Sequence, residues 1–315
     1  MSEITINKMI EKPIDFGKVL VIYGGNSNER EVSLNSGKAV LEALKSKGID
    51  AYEWDPKDKP FYKLIENNFD RAWIALHGKG GEDGSIQGAL EFLGIPYTGS
   101  DILASSTAMN KIISKKIFQN HDIPTPDYRI IHTKRDALEA MEYLGLPMVV
   151  KPISEGSSLG MSIISDVRDL EEAVNMALKY SDTAMAEECI VGDELTVTIL
   201  NGNALPSIRI KTPRIFYDFR AKYKSIETQY ICPGTDDIDS EKLYADLALK
   251  AFDALGCSGW GRIDFMRHAS DLPKVLEVNT IPGMTEKSLV PMAAKKAGID
   301  FPELCWQILE TSIDI

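Results

Sequence analysis

Cysteine is scarce in this chain and scattered: Cys189, Cys232, Cys257 and Cys305 stand far apart, with no Cys-x-x-Cys pair. That leaves no zinc ribbon and no disulfide framework, and the four thiols read as reduced and structural. Basic residues are in deficit, 35 Lys and Arg against 47 Asp and Glu, for a net charge of −12. Such a surface does not attract a phosphate backbone, so nucleic acid is excluded as a partner and any anionic ligand must be met by locally placed cations or backbone N–H groups. The chain has no apolar run of membrane-spanning length, and Met1 to Phe16 lacks the apolar stretch of a signal peptide. These absences predict a soluble, cytoplasmic protein with no membrane partner. Neither Gly-x-x-x-x-Gly-Lys-Ser/Thr nor Gly-x-Gly-x-x-Gly occurs where a strand runs into a helix, which removes the P-loop and the dinucleotide fingerprint and, with the latter, a dehydrogenase reading. No internal repeat or low-complexity segment is found.

What is present is an ordinary globular composition, 44% hydrophobic and 26% charged over 315 residues, enough for two or three subdomains with a substantial core. Residues 1–17 form a polar leader that reads as disordered. Lys18 to Tyr23 is a nearly continuous apolar strand that empties into Gly24-Gly25-Asn26-Ser27-Asn28-Glu29, and a helix follows up to Gly48. A strand at Ala51 to Trp54, a helix near Tyr62 to Asn68 and a strand at Ala72 to Leu76 continue a βαβ alternation with a parallel sheet. The third strand ends in a glycine-rich loop, His77 to Gly84, and ligands gather beyond the carboxyl ends of such strands. We therefore take 18–104 as an N-terminal α/β domain. Residues 105–190 read as a compact α+β part: a helix with Ile112, Ile113, Ile117 and Phe118, strands at Tyr128 to Ile131 and Met148 to Lys151, and between those strands a helix capped by Thr133 with Asp136 three residues on. Residues 191–315 carry antiparallel strand signals, an Asn201-Gly202 turn and two terminal helices.

The most informative feature lies near the C-terminus. Trp260 to Met266 and Lys274 to Asn279 both read as strands, joined by a polar turn at His268 to Asp271, and should pair as a hairpin. Positions i and i+2 of a strand share a face, so Glu277 and Asn279 point the same way and Asp264 can sit opposite them. Two carboxylates and an amide oxygen suit a hard divalent cation, magnesium above all, escorting a nucleotide phosphate. Taken singly, each acid reads equally well as a surface ion paired with Arg262 or Arg267.

Lys151 ends an apolar strand just before Glu155-Gly156-Ser157-Ser158-Leu159-Gly160, an arrangement suited to a phosphate cradle or to a plain hairpin connection. Lys111 alone reads as a solvated helix residue. The acids of Glu187 to Glu194 are either solvated or acceptors for ribose hydroxyls and an adenine amino group. Tyr217 to Tyr223 precedes a polar stretch that fits a mobile lid.

In this order the pieces resemble the D-alanine–D-alanine ligases, members of the ATP-grasp superfamily. The resemblance rests on Gly24-Gly25-x-Ser27-x-Glu29 through Ser33, Ala75 through Gly84, Lys151-Pro152 through Gly160, Ala221-Lys222-Tyr223, Gly259-Trp260-Gly261-Arg262-x-Asp264, and Glu277-x-Asn279-Thr280-x-Pro282-Gly283-Met284-Thr285. It covers nearly everything after the leader. It implies an ATP-grasp fold in which the N-terminal parallel βαβ domain is followed by two α+β subdomains that clamp ATP.

The resemblance also implies roles. Lys111, Lys151 and Ser158 would contact the phosphates, Glu187 and Ile190 the adenine, and Glu194 the ribose, with Phe216 and Met266 sandwiching the base. Asp264, Glu277 and Asn279 would hold two Mg2+ ions, which Mn2+ can replace, and Lys222 would add charge at the γ-phosphoryl group. The implied reaction is ATP-dependent ligation of two D-alanine molecules through an acyl phosphate, feeding peptidoglycan precursor synthesis. Glu29 would grip the first ammonium and join Ser157 and Tyr223 in a network that closes the lid. Arg262 and the Gly283 N–H would stabilise developing negative charge, His77 would line the first site, and Ser288 with the Leu289 backbone would bind the second carboxylate. K+ activation and a homodimer are compatible with the family. The rival within the enzyme class is a D-alanine–D-lactate or other carboxylate–amine ligase, against which Tyr223 argues; a catalytically silent nucleotide-binding regulator would need one of Glu277, Asn279, Arg262 or Lys222 to be missing. Glu188 departs from the pattern, standing where a lysine often meets adenine, and Asn110 stands where an aspartate is common.

Overall fold

The computed structural model describes residues 12–156, 159–212, 228–268 and 272–313. Its first sheet is parallel, in the order β2-β1-β3, from β1 (Lys18–Ile22), β2 (Asp50–Trp54) and β3 (Arg71–Ile74). The strands are short and apolar, and β1 is covered on both sides, as a central parallel strand must be. The crossover between β1 and β2 is α1 (Arg30–Ser46), which buries Ser33, Gly37, Val40, Leu41 and Leu44 on one stripe. The segment expected to be a helix near Tyr62 to Asn68 is instead a 3-10 turn at Phe61–Glu66. It buries only Leu64, while Tyr62 and Ile65 are exposed, and a single anchored side chain does not sustain an amphipathic α-helix.

The second sheet is antiparallel, ordered β4-β7-β5-β6, from β4 (Tyr128–Ile131), β5 (Met148–Pro152), β6 (Ser162–Ile164) and β7 (Ala184–Glu188). Two helices back it, α5 (Lys134–Leu144) and α6 (Leu170–Leu178). Thr133 and Asp136 make a reciprocal capping box at the start of α5. The third sheet runs β11-β10-β8-β12-β13, with β8 (Asp193–Leu200), β10 (Ile208–Lys211), β11 (Gln229–Ile231), β12 (Trp260–Arg267) and β13 (Lys274–Asn279); the short β9 (Asn203–Ala204) turns back onto β8. That turn is Asn201-Gly202, both at positive φ (49° and 72°), as a two-residue hairpin demands.

The remaining helices tie the sheets together. α2 (Ser85–Phe92) adds Ile86 and Leu90 to the core of the first sheet. α3 (Ile102–Met109) and α4 (Lys111–Asn120) insert Ala104, Ala108 and Phe118 into the core beneath the third sheet, alongside α7 (Ile238–Ala254). α8 (Leu289–Lys296) and α9 (Phe301–Glu310) return to the first core, where Leu304, Cys305 and Ile308 pack with the β1 residues. The first and third sheets thus share one apolar core, and the rings of Trp73 and Trp260 lie 6.0 Å apart across it. Among the described residues, no helix is long and apolar enough to cross a membrane.

Gly37 marks where α1 comes closest to the sheet. A Cβ added there would lie 2.1 Å from Tyr23 Cγ, so the helix needs a residue without a side chain. Gly→Ala within a helix ordinarily gains about 1 kcal/mol, but overpacking a closed core costs about 1–3 kcal/mol. Gly37→Ala is expected to lose about 1 kcal/mol net, read as a lower thermal midpoint; a midpoint at or above the parent's would show that Tyr23 yields freely.

Candidate active site

The β12–β13 hairpin forms with Asp264 directly opposite Glu277 and Arg262 opposite Asn279. Alternation along β12 sends Ile263 and Phe265 into the core and leaves Arg262, Asp264 and Met266 on the other face. On β13 the core residues are Val275 and Val278, three apart, which a regular strand would place on opposite faces. A register shift between Asp264 and Phe265 resolves the conflict: Leu276 is the extra residue, and both Leu276 and Glu277 line the same cleft.

Each carboxylate has a cation. The Arg262 guanidinium donates two parallel bonds to Asp264, both 2.7 Å, and Lys111 Nζ lies 2.9 Å from Glu277. The Thr196 hydroxyl donates to Asp264 Oδ1 at 2.8 Å and Asn279 Nδ2 to Oδ2 at 3.0 Å. Asp264 is 8% exposed, so these partners offset a real desolvation cost. Burial works against the Lys111 ammonium, yet the Glu277 charge beside it holds its pKa above the ordinary lysine value. The arginine pairing weighed for Asp264 is therefore present, while Glu277 is met by lysine. The donors facing the cleft are nonetheless two opposed carboxylates and an amide, all able to offer hard oxygen, with the amide presenting Oδ1 after a turn about its terminal torsion.

Two clefts meet at this hairpin. The first lies between the second and third sheets and is lined by Lys111, Lys151, Glu187 and Ile190 on one side and by Glu194, Asp264, Met266 and Glu277 on the other. The second holds Glu29, His77, Arg262 and Asn279, with Gly283, Ser288 and Leu289 at its far end. Both clefts are lined by Gly156 and Glu277, so they join there. Of the residues selected from sequence, these fifteen are brought together. Ser157, Ser158, Phe216, Lys222 and Tyr223 lie outside the described residues.

Glu29 immediately precedes α1, at the carboxyl end of β1. Its carboxylate is flanked by bare backbone: a Cβ on Gly78 or on Gly156 would come within 2.8 or 2.9 Å of Oε2. His77 is buried, with Nδ1 2.8 Å from the Ile281 carbonyl and Nε2 3.0 Å from Ser36 Oγ. Ser36 Oγ in turn accepts the Met284 N–H at 3.0 Å. A proton on Nδ1 satisfies every partner, and burial depresses the pKa so that the ring stays neutral. This chain of bonds anchors the Ile281–Met284 loop on either side of Gly283. Ser288 precedes α8 without capping it; its hydroxyl turns back to Thr285, 3.1 Å from the backbone N–H and 2.9 Å from Oγ1. The N-terminus of α8, with Leu289 first, borders the second cleft, where the helix dipole favours an anion.

Four residues of the site escaped the sequence reading. Glu82 lines the second cleft, accepts the Gly78 N–H at 2.8 Å, and is pushed up to about 8 by burial and by the Glu29 charge. Leu276 needed the bulge to be found. Lys274 reaches both oxygens of Glu188 at 2.7 and 3.0 Å, so the cation absent at 188 is supplied from β13. Lys115, on α4, is wholly buried and pairs with Glu187 at 2.7 Å. Its signal was available, since Lys115 lies three residues from both Ile112 and Phe118 on the buried stripe of its helix.

Two family profiles match, "D-ala D-ala ligase N-terminus" over residues 51–100 and "D-ala D-ala ligase C-terminus" over residues 117–310. The D-alanine–D-alanine ligase of Pseudoalteromonas atlantica is 50% identical over 302 residues, covering 94% of this chain and 95% of its own length. That of Idiomarina loihiensis is 49% identical, covering 95% and 98%. Among solved structures, the D-alanine–D-alanine ligase of Bacillus anthracis complexed with ATP superposes with a TM-score of 0.82 at 35% identity, covering 94% of this chain and 97% of that one. The VanG D-Ala:D-Ser ligase of Enterococcus faecalis gives 0.78 at 27% identity, over 94% and 99%.

Proposed function

The chain belongs to the D-alanine–D-alanine ligase family, and on that premise we propose that it joins two D-alanine molecules with ATP, giving D-alanyl-D-alanine, ADP and phosphate. The observation that carries the proposal is the junction of the two clefts at Glu277 and Gly156. A nucleotide laid along the first cleft points its terminal phosphate at the junction, and an amino acid in the second presents its carboxylate there.

In this reading Glu187 and Ile190 face the base, Met266 packs on it, and Glu194 takes the ribose. Lys111 and Lys151 neutralise the phosphates. Asp264, Glu277 and Asn279 hold the divalent ions, whose contribution is to draw negative charge from the transferring phosphoryl group. Glu29 holds the first ammonium and thereby selects the D configuration. Arg262 and the Gly283 N–H face the acyl carbon, where negative charge grows in both steps, and His77 keeps the Gly283 loop in place. Ser288 and the N-terminus of α8 take the second carboxylate. Ser157, Lys222 and Tyr223 retain the closing roles that the resemblance implies. The sheets support dividing the chain near residues 104 and 190, with α3 and α4 bridging the second and third parts.

The test is ADP release with ATP, Mg2+ and a panel of amino acids. D-alanine is expected to support it and L-alanine to support little; equal rates would remove the role given to Glu29. Because the attacking amine reacts only when neutral, D-alanyl-D-alanine formed in competition with D-lactate or D-serine should dominate the products and increase from pH 6 to pH 9, whereas the ester should not share the rise. A product that is mainly ester or mainly the D-serine dipeptide at pH 9 would refute the dipeptide assignment.

A further inference from the structure

Glu187 carries two lysines. It is 3% exposed, at the end of β7, with Lys151 on Oε2 and Lys115 2.7 Å from Oε1. The two cations differ in what they can do. Lys151 leaves β5 at the wall of the first cleft and faces its open space. Lys115 is 0% exposed and lines no part of the cleft. Its ammonium donates to Thr125 Oγ1 at 2.7 Å and to the Pro126 carbonyl at 3.0 Å, and pairs with Glu187 by charge at 2.7 Å. Thr125 is itself fixed, donating its hydroxyl to the Val275 carbonyl at 2.8 Å, while the Val275 N–H donates to Pro124 at 2.8 Å. Lys115 is thus held from α4, from the segment before β4 and, through Thr125, from β13. It cannot follow a ligand.

This matters because one ammonium cannot serve two anions fully. When Lys151 turns toward a phosphate it withdraws charge from Glu187, and a buried carboxylate without a counter-ion is costly enough to hold its only cation in place. We infer that Lys115 is a positioning residue, the standing counter-ion of Glu187 that frees Lys151 for the nucleotide phosphates. Within this triad two lysines face one carboxylate, so Lys151 can turn to an incoming polyanion without leaving Glu187 bare. Burial pushes Lys115 down to about 8, and repulsion by Lys151 adds to it. The inference rests on the proposal that Lys151 contacts the phosphates, and the two are separable by experiment.

The experiment is calorimetric titration of the full chain with Mg2+ and the β,γ-imido analogue of ATP, together with steady-state kinetics. Lys115→Met is expected to weaken binding of the analogue, and to raise the KM for ATP, by about tenfold or more, with the KM for D-alanine unchanged. Glu187→Gln removes the charge that retains Lys151, so adding Lys115→Met to it should cost nothing further. A single variant that binds like the parent, or an equal loss in both backgrounds, would overturn the inference. Should Lys115→Met alone fail to fold, the comparison of Glu187→Gln with the double variant decides: equal affinity supports the counter-ion, and a double variant about tenfold weaker refutes it. Lys151→Met tests the underlying assignment; parental affinity there would remove Lys151 from the phosphates, whereas weak binding there with normal binding by Lys115→Met would remove only the role of Lys115.

Discussion

Glu277→Gln is expected to cut turnover by about a hundredfold or more, equivalent to about 3 kcal/mol of transition-state stabilisation, while the protein still folds. The amide nearly matches the carboxylate in shape, so Leu276 and the bulge should keep their places, and what disappears is a negative charge facing Asp264. Without added metal the change removes the partner of Lys111, whose ammonium lies 2.9 Å from the carboxylate. Lys111 is 12% exposed and still donates to the Glu155 carbonyl at 2.9 Å, so the loss of stability should stay near the lower end of the roughly 3–5 kcal/mol seen when one member of a buried pair is removed. The decisive measurement is the Mg2+ dependence of ADP release. A variant that recovers the parental rate at high Mg2+ would show that Glu277 sets only metal affinity, and one that is active at ordinary Mg2+ would make the acid cluster structural.

Much of this site was legible because its logic is local. The period of two along a strand was enough to place Glu277 and Asn279 together, and the apolar alternation at Ile263 and Phe265 aimed Asp264 at the same side. The glycine loops announced where backbone approaches a ligand, and Gly78 and Gly156 indeed crowd the Glu29 carboxylate. The illegible part depended on pairing between distant segments. Val275 and Val278 are both core residues only because β13 bulges against β12, and nothing in Val-Leu-Glu-Val states that in advance. Lys274 looked like a strand terminus with no task until the second sheet brought Glu188 to it. The Phe61 turn failed as a helix for the converse reason: its local pattern was acceptable, but the fold offered it one buried contact. Lys115 went unremarked although its helical neighbours at three residues' spacing are buried.

Arg262 offers the sharpest separation of fold from chemistry, because it answers to both. It is the bidentate partner of Asp264, and it lines the second cleft together with Gly283. If the divalent ions take over Asp264, the guanidinium is released toward the acyl carbon. Arg262→Met should then have two effects with opposite responses to Mg2+. Stability without metal should fall by about 3 kcal/mol, since Asp264 keeps only the neutral donors Thr196 and Asn279. Mg2+ with nucleotide should restore much of that loss, giving a larger thermal shift than in the parent. Turnover should not recover; kcat/KM for D-alanine should stay down by about two to three orders of magnitude, the scale of losing one preorganised donor at a developing oxyanion. Arg262→Lys should regain part of the stability but little of the rate, because an ammonium is a point charge without the planar fork. The checks are thermal unfolding with and without Mg2+–ATP, and steady-state rates for all three proteins. If Lys restores both quantities, Arg262 contributes charge alone; if Met loses stability that Mg2+–ATP does not return, the metal does not occupy Asp264 and the assignment of the hairpin must change.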